Sequence, residues 1–525
     1  RVKMEFKLHN PVKKELSQLI QSSIKDVFSQ EMNLSEIYSM LSIPPKLENG
    51  DYAFGCFKMS KVLKKSPPEI ATALKEKIQS DNIKEIKAMG PYLNFKLTAA
   101  YLLNNLYFDE SLVEKSEKTI IEFSQPNTHK EMHVGHMRNL CLGDAIIKLH
   151  RYAGVETIAT TFPGDVGTHV AKCLWYYTHH TDQTPPDESR KGAWLGTLYT
   201  KGNNLLAEEK GTPKEAENRK ILTQILKEIE SGEGKYYELW KETREWSVNL
   251  MQTVYDWADV EFDIWYWEST VDSESVKLIK EYYEKGLFVK DDGAIGIDLS
   301  DDKLGFCLLL KSDGTGLYAT KDIELARRKF TEHNVERSIY VVDNRQALHF
   351  KQVFKTLEKM GFENTDKCYH LQYEMVELPD GAMSSRKGNI VPLQELIDNM
   401  QSTIINSYLN KYQDEWDESE INECSHLIAQ AAIKFGMNKI DPNKKIVFDM
   451  QEWLKLDGES GPYIQYVYAR INSMLSKAGK LEDVDYNKLQ DTYEENLALH
   501  LISFNDNVEK ALKDQKTNIL ANYLY

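Results

Sequence analysis

Residues 119–151 read TIIEFSQPNTHKEMHVGHMRNLCLGDAIIKLHR, and the interpretation of the whole chain depends on this stretch. The apolar run at 120–123 is typical of a buried strand, and the polar residues and proline after it predict a loop. Beyond His136 the apolar residues recur at helical spacing, so the stretch predicts strand, loop and helix in that order. The loop puts His133 and His136 where the helix begins. A helix N-terminus offers free N–H groups and a partial positive charge, which suit a phosphate.

The tetrapeptide His133-Val134-Gly135-His136 is a weak signal by itself, because two such histidines also occur as surface or capping residues. Residues 383–389, which read MSSRKGN, form a basic loop able to close over a triphosphate, although a loop of this kind is most often a solvated turn. Together and in this order, the two segments resemble the HIGH and KMSKS signatures of class I aminoacyl-tRNA synthetases. The block SQPNTHKEMHVGHMRN resembles the arginyl-tRNA synthetases in particular.

This resemblance implies both a fold and a reaction. The fold is α/β: a class I, Rossmann-like nucleotide-binding catalytic domain with an inserted helical region, an α+β N-terminal domain and an α-helical C-terminal anticodon-binding domain. The reaction is the ATP-dependent activation of L-arginine to arginyl-adenylate, followed by transfer to the 3′ end of the arginine tRNA. Mg²⁺ would arrive with ATP, since it usually binds through substrate phosphates. We expect no tightly bound cofactor and no metal site formed by the protein itself.

The pattern of apolar residues divides the chain into three regions. Residues 1–115 predict a helix over 67–78 and a strand over 89–97, and the resemblance implies an additional N-terminal domain that contacts the tRNA elbow. Residues 116–392 alternate strand and helix, which predicts a parallel sheet that binds ligands at the C-terminal ends of its strands. Within them, the polar, helical stretch 181–260 is interpreted as an insertion. Residues 393–525 are mostly helical and resemble the start of an anticodon-binding domain, which we expect to be incomplete.

Composition indicates a globular protein, with 28% charged and 41% hydrophobic residues. No apolar run approaches the roughly 20 residues of a membrane span, so no membrane association is expected. The six cysteines are scattered, which favours a reducing compartment, and we expect a cytoplasmic protein. The net charge of −16 argues against bulk attraction to RNA, so contact would use local patches. We expect a monomer, as is usual in the resembled family.

The carboxylate of arginine is already a nucleophile, so the site needs positioning and charge stabilisation more than a general base. Carried over from the family, His133 and His136 would stabilise the α-phosphate and Gly135 would face the adenine. The KMSKS lysines are replaced by Ala382 and Ser385, which leaves the positive charge on the two residues that follow. The remaining residues expected to contact ATP or its phosphates are Lys130, Met383, Ser384, Ser385, Arg386, Lys387 and His349, the last of which could instead be a packing histidine.

The amino-acid pocket must hold a planar guanidinium, which requires carboxylates and an aromatic wall. Three of the family-derived candidates could also have a purely structural place, since Asp322 could be a helix N-cap, Tyr318 a core residue and Glu268 a surface carboxylate. The residues expected to bind arginine are Asn127, Glu268, Tyr318, Asp322 and Gln346.

Four lysines in the N-terminal region form a basic stripe, which is either a solvated helix face or the tRNA contact that the resemblance implies. They are Lys58, Lys61, Lys64 and Lys65. Three other functions remain open at this point. The chain could be a class I synthetase for lysine or cysteine, a small nucleotidyltransferase with an HxGH motif, or an RNA-binding or scaffold protein derived from a synthetase.

Overall fold

The computed structural model describes residues 4–108, 111–379, 381–382, 391–480 and 482–525. The predicted ATP contacts Met383, Ser384, Ser385, Arg386 and Lys387 therefore lie outside the described residues. Strands and helices are numbered here in chain order. The strands are β1 Met4–Phe6, β2 Leu41–Ser42, β3 Tyr52–Gly55, β4 Ile83–Met89, β5 Tyr92–Leu97, β6 Val113–Ser116, β7 Thr119–Glu122, β8 Thr157–Thr161, β9 Ile264–Trp265, β10 Val289–Asp291, β11 Ala294–Asp298, β12 Phe306–Leu310, β13 Arg337–Asp343, β14 Cys368–Tyr373, β15 Val376–Leu378, β16 Gly381–Ala382 and β17 Ile446–Val447.

Helices outnumber strands among the described residues. They are α1 Pro11–Phe28, α2 Leu34–Met40, α3 Phe57–Leu63, α4 Pro67–Lys77, α5 Ala99–Asn104, α6 Val134–Tyr152, α7 Thr168–His179, α8 Lys191–Glu208, α9 Lys214–Ser231, α10 Lys235–Ala258, α11 Glu268–Glu284, α12 Tyr318–His333, α13 Ala347–Lys359, α14 Leu393–Ile404, α15 Glu418–Asn438, α16 Met450–Trp453, α17 Gly461–Ala478, α18 Thr492–Ile502, α19 Phe504–Asp514 and α20 Asn518–Leu524. No helix among the described residues is both long enough and apolar enough to cross a membrane.

The chain forms two compact units, each assembled from separate segments. The first unit contains residues 1–116, 152–154 and 472–514, and its main sheet has the strand order β2-β3-β5-β4. Helices α1 and α4 cover this sheet through a core of aliphatic and aromatic side chains, and α18 contributes Ala498, Leu499 and Ile502 to the same core. The core that packs on the N-terminal sheet is therefore completed by residues that come more than 390 positions later in the sequence.

Two of the predictions for this unit can be compared with its elements. The helix predicted at 67–78 is confirmed as α4, which begins at Pro67, where the missing N–H of proline costs no hydrogen bond. The strand predicted for 89–97 is confirmed over Tyr92–Leu97 as β5, but its start is wrong, because Met89 ends β4 and the two strands form an antiparallel hairpin that turns between Met89 and Tyr92. Gly90 takes the left-handed backbone conformation of this turn, with φ of 57°.

The second unit contains residues 117–151, 155–471 and 515–525 and is built on a parallel sheet. Its strand order is β14-β13-β7-β8-β9, with neighbouring strands parallel throughout. The carboxyl ends of all five strands therefore meet at one edge of the sheet. This edge is where open α/β sheets bind their ligands.

The stretch interpreted as an insertion is helical and forms α8, α9 and α10. These helices pack with α7 around a core that contains the fully buried Trp175. After β9 the chain enters α11, and an antiparallel sheet of β10, β11 and β12 then leads to α12. Buried side chains of α11, α12 and α13 share one core with this small sheet. This core holds α11 and α12 against the small sheet.

Candidate active site

The two histidines of the first signature lie in contact at the start of α6. Their rings are 4.0 Å apart between centroids and are tilted by 37°. The backbone just before α6 pairs with the segment that precedes α14, since Leu393 N–H donates to the Met132 carbonyl at 2.9 Å. A methyl group on Gly135 would come within 2.9 Å of the His133 ring, so the glycine leaves room for that ring.

Backbone hydrogen bonds determine which nitrogen of each ring carries the proton. The His133 N–H donates to Nδ1 of His136 at 3.0 Å, and the Gly135 N–H donates to Nδ1 of His133 at 3.1 Å. Both Nδ1 atoms are therefore acceptors, and each neutral ring carries its proton on Nε2. Burial, reinforced by Arg345, lowers the pKa of His133 to about 4. Burial, with His133 and Lys130 nearby, lowers the pKa of His136 well below its ordinary value. At neutral pH the pair presents two neutral Nε2–H donors.

Lys130 lies just before this pair. Its ammonium sits 4.8 Å from the centroid of the Tyr199 ring, which belongs to α8. Its charge contributes, after burial, to the lowered pKa of both His136 and His169. The lysine therefore brings a positive charge close to the histidine pair, and its contact with a phosphate stays a prediction.

The loops after β7 and β8 are joined edge to edge, and this pairing positions Asn127. Asn127 forms a backbone bridge with Gly164, and the Thr128 N–H donates to the Gly164 carbonyl at 2.9 Å. A methyl group on Gly164 would meet the Asn127 side-chain oxygen closer than 3.0 Å and would lie 3.5 Å from the Glu268 carboxyl carbon. The absence of a side chain at 164 thus allows Asn127 and Glu268 to approach each other.

Glu268 is the first residue of α11 and is buried, with 6% of its surface exposed, so it is not a surface carboxylate. It accepts a hydrogen bond from Lys321 Nζ at 3.2 Å, and Asp272 lies 3.8 Å from the same ammonium. Burial raises the pKa of Glu268 to about 7 even though Lys321 acts in the opposite direction. The sequence did not single out Lys321, although it lies between two residues that were predicted to bind arginine.

Tyr318 and Asp322 lie one turn apart at the start of α12. Tyr318 is 64% exposed and is not a core residue, and Asp322 lies inside the helix rather than at its N-cap. Asp322 accepts a hydrogen bond from His349 Nε2 at 2.5 Å, so His349 is held beside the predicted arginine pocket. Asp322 also helps to raise the pKa of Glu268, which places the two carboxylates near each other. Gln346 is exposed in the turn between β13 and α13.

Asp165 is a fully buried carboxylate that the sequence analysis did not select. It accepts hydrogen bonds from Arg244 Nε at 2.8 Å, from the Ser269 N–H at 2.9 Å and from the Ser269 hydroxyl at 2.6 Å. The Arg244 guanidinium stacks on Trp267, with its central carbon 3.9 Å from the ring centroid. Asp165 therefore ties α10 to the N-terminus of α11, where Glu268 is located. The signal for it was the sequence PGDVGTH at residues 163–169, which follows β8.

Arg138 is a second residue that sequence reasoning missed. It lies on α6, is 1% exposed, and donates hydrogen bonds to main-chain carbonyls of two separate segments. The acceptors are the carbonyls of Glu374 at 2.5 Å, Lys444 at 2.9 Å, Asp441 at 3.3 Å, Met375 at 3.4 Å and Pro442 at 3.4 Å. Arg138 therefore joins the helix of the first signature to the strand that leads toward the second.

Comparison with known proteins agrees with this architecture. A family model described as tRNA synthetases class I (R), catalytic domain, matches residues 97–450, which is more than half of the chain. The models for the arginyl tRNA synthetase N terminal domain and the DALR anticodon binding domain match residues 14–97 and 464–525.

The chain belongs to the arginyl-tRNA synthetase family.

Relatives support the same assignment. An arginine–tRNA ligase of Bdellovibrio bacteriovorus is 53% identical over 93% of this chain and 86% of the relative. One from Clostridium botulinum is 34% identical over 98% of this chain and 90% of its own length. The arginyl-tRNA synthetase structure of Thermus thermophilus matches with a TM-score of 0.79 and 27% identity, covering 98% of this chain and 90% of that one. The reaction class is thus the ligation of arginine to tRNA at the expense of ATP.

Proposed function

We propose that the edge of the parallel sheet carries out arginine activation through the residues predicted from the sequence. His133 and His136 donate hydrogen bonds from their Nε2–H groups to the α-phosphate, and Lys130 adds positive charge beside them. Gly135 faces the adenine. Because both imidazoles are neutral donors, they stabilise charge without taking part in proton transfer. The two fixed Nε2–H groups at the start of α6 are the observation that carries this proposal.

The arginine pocket is proposed to lie between the N-termini of α11 and α12. Glu268 and Asp322 face the guanidinium, and the exposed ring of Tyr318 forms one wall. Asn127 and Gln346 hold the α-amino and carboxylate groups. Two carboxylates and an aromatic ring suit a planar cation that can donate several directed hydrogen bonds. Arg386 and Lys387, with Met383, Ser384 and Ser385, complete the ATP site in this proposal.

The partners of the reaction follow from the same assignment. ATP brings Mg²⁺ with its phosphates, and the protein works as a monomer in the cytoplasm. The lysines of the N-terminal unit contact the tRNA elbow. Support for this contact is that Lys58, Lys61, Lys64 and Lys65 are all exposed, and that Lys58 directly follows the exposed Phe57. Phe57 and Tyr92, 53% and 44% exposed, pack edge to face at 5.5 Å and would give RNA a stacking surface.

The decisive experiment is ATP–pyrophosphate exchange with each amino acid, with and without tRNA. Arginyl-tRNA synthetases typically require their tRNA before they activate arginine, so we expect exchange with arginine only when the arginine tRNA is present. Exchange with lysine instead would retain the histidine site and reject the pocket. Failure of exchange with every amino acid, with ATP still bound, would indicate a scaffold protein.

A further inference from the structure

His349 and Asp322 form a close, half-buried pair between α13 and α12. The Nε2–Oδ2 distance is 2.5 Å, and the two side chains are 21% and 17% exposed. Burial alone would lower the pKa of His349, but the hydrogen bond and the charge of Asp322 raise it above its ordinary value. The pair with Asp322 therefore favours the imidazolium form of His349 in the absence of arginine.

The groups around this pair determine which cation can lose a proton. On α11 and α12, Glu268 is paired with Lys321, whose pKa is raised because the attraction of Glu268 and Asp272 outweighs burial. Lys321 therefore stays charged. Tyr318, on the same turn as Asp322, has a pKa raised by partial desolvation of its hydroxyl and by the charge of Glu268, although the residue as a whole is exposed, and it stays neutral.

On β14, burial lowers the pKa of His370, and its Nε2 donates to the Val342 carbonyl at 2.8 Å. The edge of His349 meets the Phe350 ring. Of the cations that the described residues place near Asp322, His349 is the one whose ordinary pKa lies close to neutral pH.

We propose that His349 is a positioning residue that holds Asp322 through Nε2 and loses its Nδ1 proton when the guanidinium of arginine pairs with Asp322. The inference rests on the proposed assignment of Asp322 to the guanidinium. Charge and atoms are conserved in this exchange. Arginine enters with all its protons, the imidazolium gives its Nδ1 proton to solvent, and the Nε2–H bond to Asp322 is kept. One cation replaces another, so the net charge around Asp322 does not change.

The physical reason is that a second cation beside a shared carboxylate disfavours the charged imidazole. By linkage, a ligand that releases protons binds more tightly as the pH rises. The dissociation constant of arginine should therefore fall with pH, by at most about tenfold per unit, while His349 titrates, and level off above that range. Citrulline has the shape of arginine without its charge, so it should release no proton from His349.

Glu268 can also release a proton when arginine binds, so its contribution to proton release must be distinguished from that of His349. Its pKa of about 7 means that a guanidinium arriving beside it also favours loss of a proton. Glutamine at position 349 provides the separation, because its amide N–H can replace the Nε2–H bond to Asp322 but cannot titrate. Proton release that persists in H349Q then belongs to Glu268. The difference between wild type and H349Q belongs to His349.

The test is calorimetric titration of the whole protein with arginine, and with citrulline, from about pH 6 to about pH 8.5 in buffers of different ionisation enthalpy. Wild type should release more protons per arginine than H349Q, with the difference largest, and at most about one, between the pKa values of His349 with and without arginine. His333→Gln is the control, because His333 lies at the end of the same helix as Asp322 and bonds Tyr266. This variant should release as many protons as wild type.

Two results would overturn the inference. Equal proton release by wild type and H349Q across the range would mean that His349 keeps or never carries the proton. A drop in arginine affinity in H349Q without any change in its pH dependence would mean that His349 only supports the pocket. Absence of arginine binding by wild type would instead contradict the proposed function, and is thereby distinguished from both.

Discussion

The proton on Nε2 of each signature histidine is a consequence of main-chain geometry at a single turn. The two N–H groups that fix it belong to His133 and Gly135, within three residues of the rings. A change of side chain at either position therefore alters an electrostatic property as well as a shape. The site is arranged before any ligand arrives, which is how fixed dipoles contribute most to catalysis.

Replacing His136 by alanine removes one of these donors and the acceptor for the His133 N–H. We expect adenylate formation to slow by more than about tenfold, or about 1.4 kcal/mol in the activation free energy. Single-turnover kinetics in the presence of the arginine tRNA measures this step directly. A smaller effect would locate the phosphate chemistry elsewhere.

The rate of adenylate formation should depend on pH only weakly through the two signature histidines. Because the pKa of His133 is lowered to about 4, the neutral donor persists as the pH falls from about 8 to about 6. We therefore expect no loss of adenylate formation in that interval from titration of His133. His136, whose pKa is also lowered, should behave in the same way.

Replacing Asp322 by alanine should strongly impair the use of arginine while ATP binding is retained. Loss of one partner of a partly buried charge pair costs about 2 to 5 kcal/mol, so kcat/KM for arginine should fall by about thirtyfold or more. ATP affinity, measured by equilibrium dialysis, should be unchanged. Asp272→Ala removes a more exposed carboxylate near Lys321 and should have a much smaller effect. Unchanged arginine kinetics in D322A would contradict the assignment of Asp322 to the arginine pocket.

Several partners within the site could not be read from the sequence, for a physical reason. His133, Gly135 and His136 are neighbours along the chain, so a local pattern reveals them. Lys321 and Glu268 are 53 residues apart, and the Asp322–His349 pair spans 27. Their contact depends on where α11, α12 and α13 pack on the small sheet, and no periodicity encodes that packing.

At the scale of elements, strand ends were predicted better than turns. The alternation of strand and helix from residue 119 predicted the parallel sheet and the edge that holds the candidate site. The strand predicted for 89–97 began too early, because apolar residues lie on both sides of Gly90. The adjacent Gly90 and Pro91 are turn signals, and they separate β4 from β5.

Arg138 is the element-scale connection with the largest expected effect. Arg138→Lys should destabilise the catalytic unit by about 3 kcal/mol, since one ammonium cannot reach the carbonyls of both segments and buried acceptors lose their donor. Thermal unfolding measures the loss, and amide exchange at 441–447 should report it locally. The control is Arg151→Lys on the same helix, whose partner Asp263 is half exposed. A similar small change in both variants would contradict the role of Arg138.

At the scale of the whole molecule, Glu495 is the link between the N-terminal sheet and the helix α18 in the first unit. It accepts from Lys84 at 2.7 Å and lies 3.3 Å from Lys96, which also pairs with the buried Asp51 at 2.8 Å. The acid is buried to 7% exposure. This network of ion pairs therefore connects residues that are far apart in sequence, since Lys84 and Glu495 are separated by 411 positions.

Glu495→Gln should lower the free energy of unfolding of this unit by about 1 to 3 kcal/mol, because a partly buried ammonium loses a charged partner. Amide exchange in β3, β4 and β5 measures the loss where it occurs. Asp26→Asn disrupts an exposed pair with Lys77 in the same unit and should cost less than about 0.5 kcal/mol. Equal protection of the three strands in wild type and E495Q would show that the α18 carboxylate does not stabilise the sheet.

The discontinuous first unit also has a consequence for the order of events on the ribosome. Its sheet is synthesised first, yet Ala498, Leu499 and Ile502 of its core are made only after residues 117–471. At about 5–20 residues per second, this interval is on the order of tens of seconds. Through that time the nascent N-terminal segment carries an uncovered apolar surface. The growing chain is therefore a natural client for chaperones that bind such surfaces until the last helices arrive.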